Sequence, residues 1–230
     1  MEQIKHSASR THLQTHRIIT GFKPGKWLES YKMLRTRCLQ LMDANNWNTL
    51  AITSPRAETG NSLTATNLAI SIAMEFNRSV LLIDANFQNP GICELLNIRS
   101  KQGLSDYLID NTPINELLIH PDVEQLTILP AGRSLLNSAE MLRSPKMLDL
   151  ITELKISDPK RIIIFDLPPL LSQDDTLGFL PSVDCALLII DEGFTKIEEL
   201  KQTALLLKDI NVLGTVFNKT TDNKIQYQIN

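Results

Sequence analysis

Two short apolar runs that end in aspartate limit most strongly what this chain can fold into. Residues 79–84 read SVLLID and residues 161–166 read RIIIFD, with apolar residues at consecutive positions. Such runs are typical of parallel strands that are buried on both faces of a sheet. Helical periodicity alternates with these and with further apolar runs at 48–53, 126–129, 183–190 and 212–218. The alternation predicts a three-layer α/β fold, in which a mainly parallel sheet is flanked by helices on both faces.

The stretch after the first predicted strand has the layout of a phosphate-binding loop but lacks its usual charge. Residues 54–63 read SPRAETGNSL, and helical periodicity follows over 64–73. In such loops backbone N–H groups surround the phosphates, a lysine reaches the terminal oxygens, and a Ser or Thr hydroxyl binds Mg²⁺. Gly60 and Ser62 match this pattern, whereas Asn61 stands at the lysine position. The loop therefore predicts a phosphate site that lacks the positively charged lysine side chain.

Composition favours one large domain and gives no support for nucleic-acid binding. The chain has 230 residues, 43% of them hydrophobic, and a net charge of -3. A surface that follows a polynucleotide backbone would normally make the balance basic. Cys38, Cys93 and Cys185 are widely spaced and odd in number, which favours free thiols in a reducing cytoplasm. No run approaches the length of about 20 apolar residues that a membrane-spanning helix needs.

The two ends of the chain differ in character from the middle. Residues 1–26 are polar, with a basic excess and several chain breakers, and they predict a flexible N-terminal arm. The predicted domain covers 27–222, and a short tail covers 223–230. Within the domain, periodicity predicts one helix over Trp27–Asp43 and another over Ala139–Leu154.

Three strand ends carry polar groups that can act together. The loop at Gly60–Ser62, Asp84 and Asp166 each follow a predicted parallel strand. Ligands of open α/β sheets bind at the carboxyl ends of the strands. A magnesium–phosphate complex needs a backbone cradle, a hydroxyl ligand and carboxylates in one place. The sequence thus predicts such a site at this edge.

These features together resemble the cytoplasmic domain of the bacterial tyrosine kinases (BY-kinases). That family acts with a membrane co-polymerase in capsule and exopolysaccharide synthesis and export, and it is related to the division-site and plasmid-partition ATPases. The resemblance implies a P-loop NTPase-like fold. The matching segments are 29–36, 53–55, Gly60, Ser62, 67–69, 81–84, 89–91, 103–105, 129–132, 137–144, 166–169 and 214–218.

The resemblance implies a nucleotide site, a magnesium site and an association motif. Mg-ATP or Mg-ADP would be the ligand. The nucleotide-binding residues would be Arg56, Gly60, Asn61, Ser62, Leu63 and Asn218. Mg²⁺ would be held by Ser62, Asp84 and Asp166, of which the two aspartates would be catalytic in an active enzyme. The motif by which subunits associate, Glu-x-x-Arg-x-x-Arg, would be Glu29, Lys32 and Arg35.

The chain departs from the family pattern where charge is needed. The family loop reads Pro-Gly-Glu-Gly-Lys-Ser-Thr, where residues 57–63 read Ala-Glu-Thr-Gly-Asn-Ser-Leu. The family motif Asp-x-Asp-x-Arg is Asp84, Asn86 and Gln88 here, while Asp-x-Pro-Pro is intact at Asp166. By analogy with loss of one oxyanion donor, loss of the lysine costs about 3–4 kcal/mol in the transition state. We therefore expect nucleotide binding to be weak and phosphoryl transfer to be impaired.

The leading hypothesis is a cytoplasmic assembly or regulatory pseudokinase of exopolysaccharide biosynthesis. Its partners would be copies of itself, a related kinase subunit, or the cytoplasmic tail of a membrane polysaccharide co-polymerase, which would place it beside the inner membrane. The alternative is a weakly active tyrosine autokinase or ATPase, with Arg56 replacing part of the missing charge. A third possibility, a partition-type positioning ATPase, is disfavoured by the acidic balance.

Overall fold

A six-stranded sheet forms the centre of the computed structural model, which describes residues 9–19, 26–172 and 174–220. All strand pairs are parallel, and the order across the sheet is β3-β2-β4-β1-β5-β6. The predicted parallel sheet is therefore confirmed. The strands are β1 Thr49–Thr53, β2 Val80–Asp84, β3 Leu126–Leu129, β4 Ile162–Asp166, β5 Cys185–Asp191 and β6 Val212–Asn218.

Helices cover both faces of this sheet, as the alternating pattern predicted. Neighbouring strand residues face opposite sides: Leu82 packs with Met42 and Leu68 on one face, whereas Leu81 packs with Met147 on the other. The helices are α1 Arg10–Thr15, α2 Lys26–Asn45, α3 Asn61–Ala73, α4 Ile92–Leu95, α5 Leu104–Asp110, α6 Ile114–Leu117, α7 Ser138–Leu142, α8 Pro145–Ser157, α9 Asp175–Phe179 and α10 Ile197–Leu206.

The single helix predicted over Ala139–Leu154 is wrong in one respect, because two helices occupy this stretch. The break falls at Ser144 and Pro145. Pro145 lacks the N–H that a continuing helix requires, so it takes the first position of α8. Ser144 caps that helix, since its hydroxyl accepts a hydrogen bond from the N–H of Met147 at 3.2 Å.

The N-terminal segment also differs from its prediction. Residues 9–19 are packed on the domain, so a flexible arm is wrong for this part of it. Ile18 and Ile19 are buried in the core. The Asn67 side chain of α3 holds the segment, because it accepts a hydrogen bond from the Ile19 N–H at 2.8 Å and donates to the Arg17 carbonyl at 3.0 Å. Residues 1–8 and 20–25 of the predicted arm and the tail at 223–230 lie outside the described residues, and residue 26 begins α2.

None of the helices in the described ranges is both long enough and apolar enough to cross a bilayer. Cys38 and Cys185 are buried as free thiols, and Cys93 is a half-buried one. Burial raises the pKa of the Cys38 thiol to about 12 and that of Cys93 to about 11, with the Asp84 carboxylate adding to the rise at Cys93. These thiols are therefore protonated at neutral pH and serve as core packing.

Candidate phosphate and magnesium site

Gly60 ends the phosphate loop as the N-cap residue of α3, in a conformation that suits glycine. Its φ is 94°, in the left-handed region. A Cβ atom at this position would lie 2.3 Å from Nδ2 of Asn218, so any other residue here would also have to displace that side-chain amide. The sequence prediction for this residue identified the loop but not this contact.

Asn61, at the lysine position, uses its side chain within the protein. Its Nδ2 donates to the Leu167 carbonyl at 3.3 Å, and its Oδ1 accepts from the Thr59 hydroxyl at 2.9 Å. The amide thereby links the loop to the turn that follows β4. It brings no positive charge to the place where a lysine would neutralise phosphate.

Ser62 and Leu63 follow in the first turn of α3. The Ser62 side chain lies against Gly91, where a Cβ atom would come within 2.9 Å of its hydroxyl oxygen. Leu63 packs its side chain against the core cluster on this face of the sheet. Its contribution to a ligand would therefore be its backbone N–H, one of the unsatisfied donors at a helix start.

Asp84 and Asp166 lie side by side, because they are paired in register on β2 and β4. Both are fully buried. The oxygens of Asp84 accept backbone N–H groups from Asn86 at 3.3 Å and from Ile92 at 3.1 Å. Burial still dominates over these bonds and raises the pKa of Asp84 to about 7.

Asp166 is less well supported than its neighbour. In the described part of the chain, neither of its carboxylate oxygens has a hydrogen-bond partner. Burial and then the charge of Asp84 raise the pKa of Asp166 well above its usual range, and the nearby Ser62 hydroxyl, which forms no hydrogen bond of normal geometry with it, offsets this only in part. Two adjacent buried carboxylates form an arrangement that a divalent ion would stabilise.

The donor set fits Mg²⁺ better than a metal bound by protein alone. Within the described ranges, no group of three or more His, Cys, Asp or Glu residues is placed to hold a metal ion. Mg²⁺ commonly takes one or two carboxylates and completes its shell with water and ligand phosphate. Asp84, Asp166 and Ser62 match that pattern, and the unpartnered oxygens of Asp166 supply the structural reason.

Asn86 and Gln88, which stand where the family has charged residues, form side-chain hydrogen bonds with residues outside this pair of carboxylates. The Asn86 Oδ1 accepts from the Asn89 N–H at 3.3 Å, so this amide holds its own loop. The Gln88 Nε2 donates to the Ser138 hydroxyl at 3.3 Å. Both side chains therefore hydrogen-bond to neighbouring protein groups.

Two positively charged side chains link the loop to other segments, Arg56 from within the loop and Lys219 from the residue after β6, and both bond to backbone carbonyls. Arg56 donates through Nη1 to the Phe194 carbonyl at 2.9 Å. Lys219 donates through Nζ to the Glu58 carbonyl. Sequence reasoning considered Arg56 but missed Lys219, because the contact joins residues far apart in the chain. The period and spacing of the local sequence contain no signal for it.

Asn218 lies beside Lys219 and also bonds to the loop. Its Nδ2 donates to the Thr59 carbonyl at 2.7 Å. The predicted nucleotide residues 56, 60, 61, 62, 63 and 218 are therefore gathered around one loop.

The predicted association motif does not project from α2 as a unit. Glu29 and Lys32 form an exposed ion pair at 2.9 Å. Arg35 turns inward, where Nη2 lies 2.5 Å from Oε1 of Glu75 and Nη1 donates to the Ser71 carbonyl at 3.0 Å. Its guanidinium thus lies at the C-terminal end of α3, where a positive charge is favourable. Arg35 therefore does not project from α2 together with Glu29 and Lys32.

The family of the chain follows from its match to a known domain model. Residues 48–221, most of the chain, match the model described as an AAA domain (AAA_31). The chain belongs to this AAA domain family. The resemblance to the bacterial tyrosine kinases is confirmed as well, because relatives and solved structures of this AAA domain carry that name.

Two characterised relatives indicate the setting in which this AAA domain occurs. Tyrosine-protein kinase YwqD of Bacillus subtilis is 28% identical over 83% of this chain and 80% of its own. Succinoglycan biosynthesis transport protein ExoP of Rhizobium meliloti is 27% identical over 91% of this chain. The chain spans only about a quarter of ExoP, 27% of its length.

Solved structures of the same type superpose on the domain. The chimerical protein CapA2B2 has a TM-score of 0.81 with 21% identity, covering 96% of this chain and 95% of its own. The kinase domain of Escherichia coli tyrosine kinase ETK has a TM-score of 0.78 with 25% identity, covering 87% of this chain and 80% of its own. The fold is therefore that of a P-loop kinase domain of this class.

Proposed function

We propose that the chain is an assembly or regulatory component of exopolysaccharide biosynthesis that keeps the kinase-like domain without normal phosphoryl transfer. The observation that carries this proposal is the side chain of Asn61. It is bonded to Leu167 and Thr59, in the position from which a lysine would reach the transferring phosphate. Phosphoryl transfer depends almost wholly on positioning and charge neutralisation.

The neighbouring positions support the same conclusion. Asn86 cannot act as a general base, because an amide does not accept a proton at neutral pH. Its oxygen is also engaged by the Asn89 N–H. Glu58 adds a negative side chain to the loop, at the position of a family glycine. By analogy with loss of an oxyanion donor, the change at Asn61 alone accounts for about 3–4 kcal/mol of lost transition-state stabilisation.

Binding of a magnesium nucleotide is retained in this proposal as a weak, structural event. Ser62, Asp84 and Asp166 would hold the ion, and the N–H groups at the start of α3 would meet the phosphates. When bound, Mg²⁺ would neutralise phosphate charge and the buried carboxylates. The protein residues orient the ligand and exclude water from the carboxylate pair, which is fully buried.

The partner would be a second copy, a related kinase subunit or the cytoplasmic tail of a membrane co-polymerase. The names of YwqD and ExoP support this setting, because the first is a tyrosine-protein kinase and the second is a succinoglycan biosynthesis transport protein. Glu29 and Lys32 offer an exposed charged pair on α2 for such a contact. A domain without transfer activity could regulate an active relative by occupying its binding surface.

An ATP turnover assay tests the proposal. The wild-type chain is incubated with Mg-ATP, and ADP and phosphotyrosine are measured beside Asp166→Ala as the control. We expect the two proteins to give the same background level. Turnover or phosphotyrosine in the wild type that Asp166→Ala abolishes would establish the alternative, a weak autokinase or ATPase, and would overturn the proposal.

A further inference from the structure

Two successive residues at the carboxyl end of β6 hold two successive carbonyls of the phosphate loop. Asn218 donates to the Thr59 carbonyl at 2.7 Å, and Lys219 donates to the Glu58 carbonyl. The Nζ of Lys219 also lies 3.8 Å from a carboxylate oxygen of Asp191, which is buried at the end of β5. The loop is thus fastened from the side of the sheet on which β5 and β6 lie.

These bonds fix the direction of the loop N–H groups as well as its carbonyls. In a trans peptide the C=O and N–H bonds point in opposite directions, and the described residues contain no cis peptide. The Glu58 carbonyl shares its peptide with the Thr59 N–H, and the Thr59 carbonyl shares its peptide with the Gly60 N–H. Both N–H groups therefore point away from β6.

The two carboxylates lie on the side of β1 that faces away from β5 and β6. In the strand order, β4 with Asp166 and β2 with Asp84 lie on one side of β1, and β5 and β6 lie on the other. Across the described backbone, neither the Thr59 nor the Gly60 N–H donates to a carbonyl. Successive N–H groups that point the same way form an anion-binding concavity.

We propose that Lys219 and Asn218 form a brace that orients the phosphate loop, so that its Thr59 and Gly60 N–H groups face the phosphates of a nucleotide. Lys219 is a positioning residue in this arrangement. The identity of the anion rests on the proposed function, whereas the orientation of the loop does not. With asparagine at position 61, backbone N–H groups become the main contacts for phosphate in this loop.

The backbone on both sides of the brace explains why support is needed. Glu58 has a φ of 64° and Lys219 a φ of 56°, so both adopt the left-handed region that side chains disfavour. Such residues persist where their surroundings hold them in place. The hydrogen bond from the Lys219 side chain to the Glu58 carbonyl joins these two positions directly.

The first test uses the protein without ligand. Lys219→Met removes the hydrogen-bond donor and keeps a side chain of nearly the same length. Lys208→Met is the control, because Lys208 is an exposed lysine that forms an ion pair with Asp209 at 3.8 Å. We expect the amide NMR signals of Thr59 and Gly60 to shift or broaden in Lys219→Met and to stay unchanged in Lys208→Met. Unchanged signals in Lys219→Met would overturn the brace.

The second test measures Mg-ADP binding by calorimetry in the same proteins. We expect the Kd of Lys219→Met to rise about tenfold, and that of Lys208→Met to change less than about twofold. Equal affinity of Lys219→Met and wild type would overturn the positioning role. If the wild type does not bind Mg-ADP, the nucleotide part of the proposed function fails, and the ligand-free amide signals still decide whether the brace exists.

Discussion

Glu58 carries backbone strain that glycine at the same position would not. Its φ is 64°, and its side chain is exposed. The left-handed conformation costs about 1–2 kcal/mol for residues with a Cβ, of which glycine returns a part through its larger unfolded-state entropy. The bond from Lys219 is made to the Glu58 carbonyl, so it does not depend on the side chain.

We predict that Glu58→Gly raises the free energy of unfolding by about 0.5–1 kcal/mol, because it relieves this strain. Urea unfolding monitored by circular dichroism measures the change. Glu58→Gln is the matched control, since it removes the charge and keeps the Cβ. A gain of the same size in Glu58→Gln would assign the effect to charge and contradict the strain argument.

The buried carboxylates predict an unusual dependence of stability on pH. The pKa of Asp84 is raised from 3.8 to about 7, chiefly by burial. Between these two values the folded state binds more protons than the unfolded state, so the free energy of unfolding falls as the pH rises. The slope reaches at most about 1.4 kcal/mol per pH unit for one proton.

Chemical denaturation at pH 5 and pH 7.5 checks this expectation. We predict that the wild type is less stable at the higher pH, and that Asp84→Asn shows a smaller difference, because it removes one titrating group and the repulsion that Asp166 feels. Addition of Mg²⁺ should stabilise the wild type more at pH 7.5 than at pH 5. Equal stability of the wild type at both pH values would show that the pair is not protonated in the folded state.

At the scale of helices and strands, the packing of the N-terminal segment depends on one side chain of α3. Asn67 is buried, and its amide satisfies both the Ile19 N–H and the Arg17 carbonyl. Removing it leaves two backbone groups without a partner, at a cost of roughly 2–4 kcal/mol for the docked segment. That cost exceeds what a short six-residue helix can return by itself.

We predict that Asn67→Ala releases residues 9–19 and speeds tryptic cleavage after Arg17. Thr66→Val is the matched control, because Thr66 is adjacent on α3, fully buried and has a hydroxyl without a partner. It should leave the cleavage rate unchanged and stabilise the protein slightly. Cleavage that is equally slow in Asn67→Ala would mean that the apolar contacts of Ile18 and Ile19 hold the segment by themselves.

The sequence predicted those helices and strands that are determined by residues close together in the chain. The apolar runs located all six strands to within one or two residues, since a buried parallel strand is apolar at consecutive positions. It missed α1, whose position depends on contacts of Ile19 and neighbouring residues with Asn67, 48 positions away. It also gave no sign of the contact between Arg35 and Glu75, because nothing near Arg35 in the sequence identifies that partner.

The candidate site was also predictable only where its residues follow from local sequence. Asp84, Asp166, Gly60 and Ser62 follow from strand ends and loop spacing, because the carboxyl edge of a parallel sheet gathers such groups. The engagement of Asn61 by Leu167 and the approach of Lys219 could not be predicted. Both are contacts between residues more than 100 positions apart, and only the completed sheet brings them together.

For the whole molecule, the turned-in Arg35 leaves Glu29 and Lys32 as the exposed part of the predicted association motif. Their side chains are 64% and 42% exposed and form an ion pair at 2.9 Å. A pair of this kind contributes about 0.3–0.5 kcal/mol to a helix. Its larger effect would be on a partner, because a reversed charge in an interface costs several kcal/mol.

We predict that exchanging the two charges, Glu29→Lys with Lys32→Glu, leaves the melting temperature within about 2 °C and abolishes self-association or binding to the co-polymerase tail. The exchange preserves an ion pair on α2 and reverses the pattern that a partner meets. Sedimentation velocity measures self-association, and a pull-down measures binding to the co-polymerase tail. Arg78→Lys is the control, because Arg78 forms an ion pair with Asp43 at 2.7 Å in another part of the surface and should not affect assembly. Assembly that survives the exchange would place the contact surface elsewhere on the domain, because a reversed pair cannot match the same partner charges.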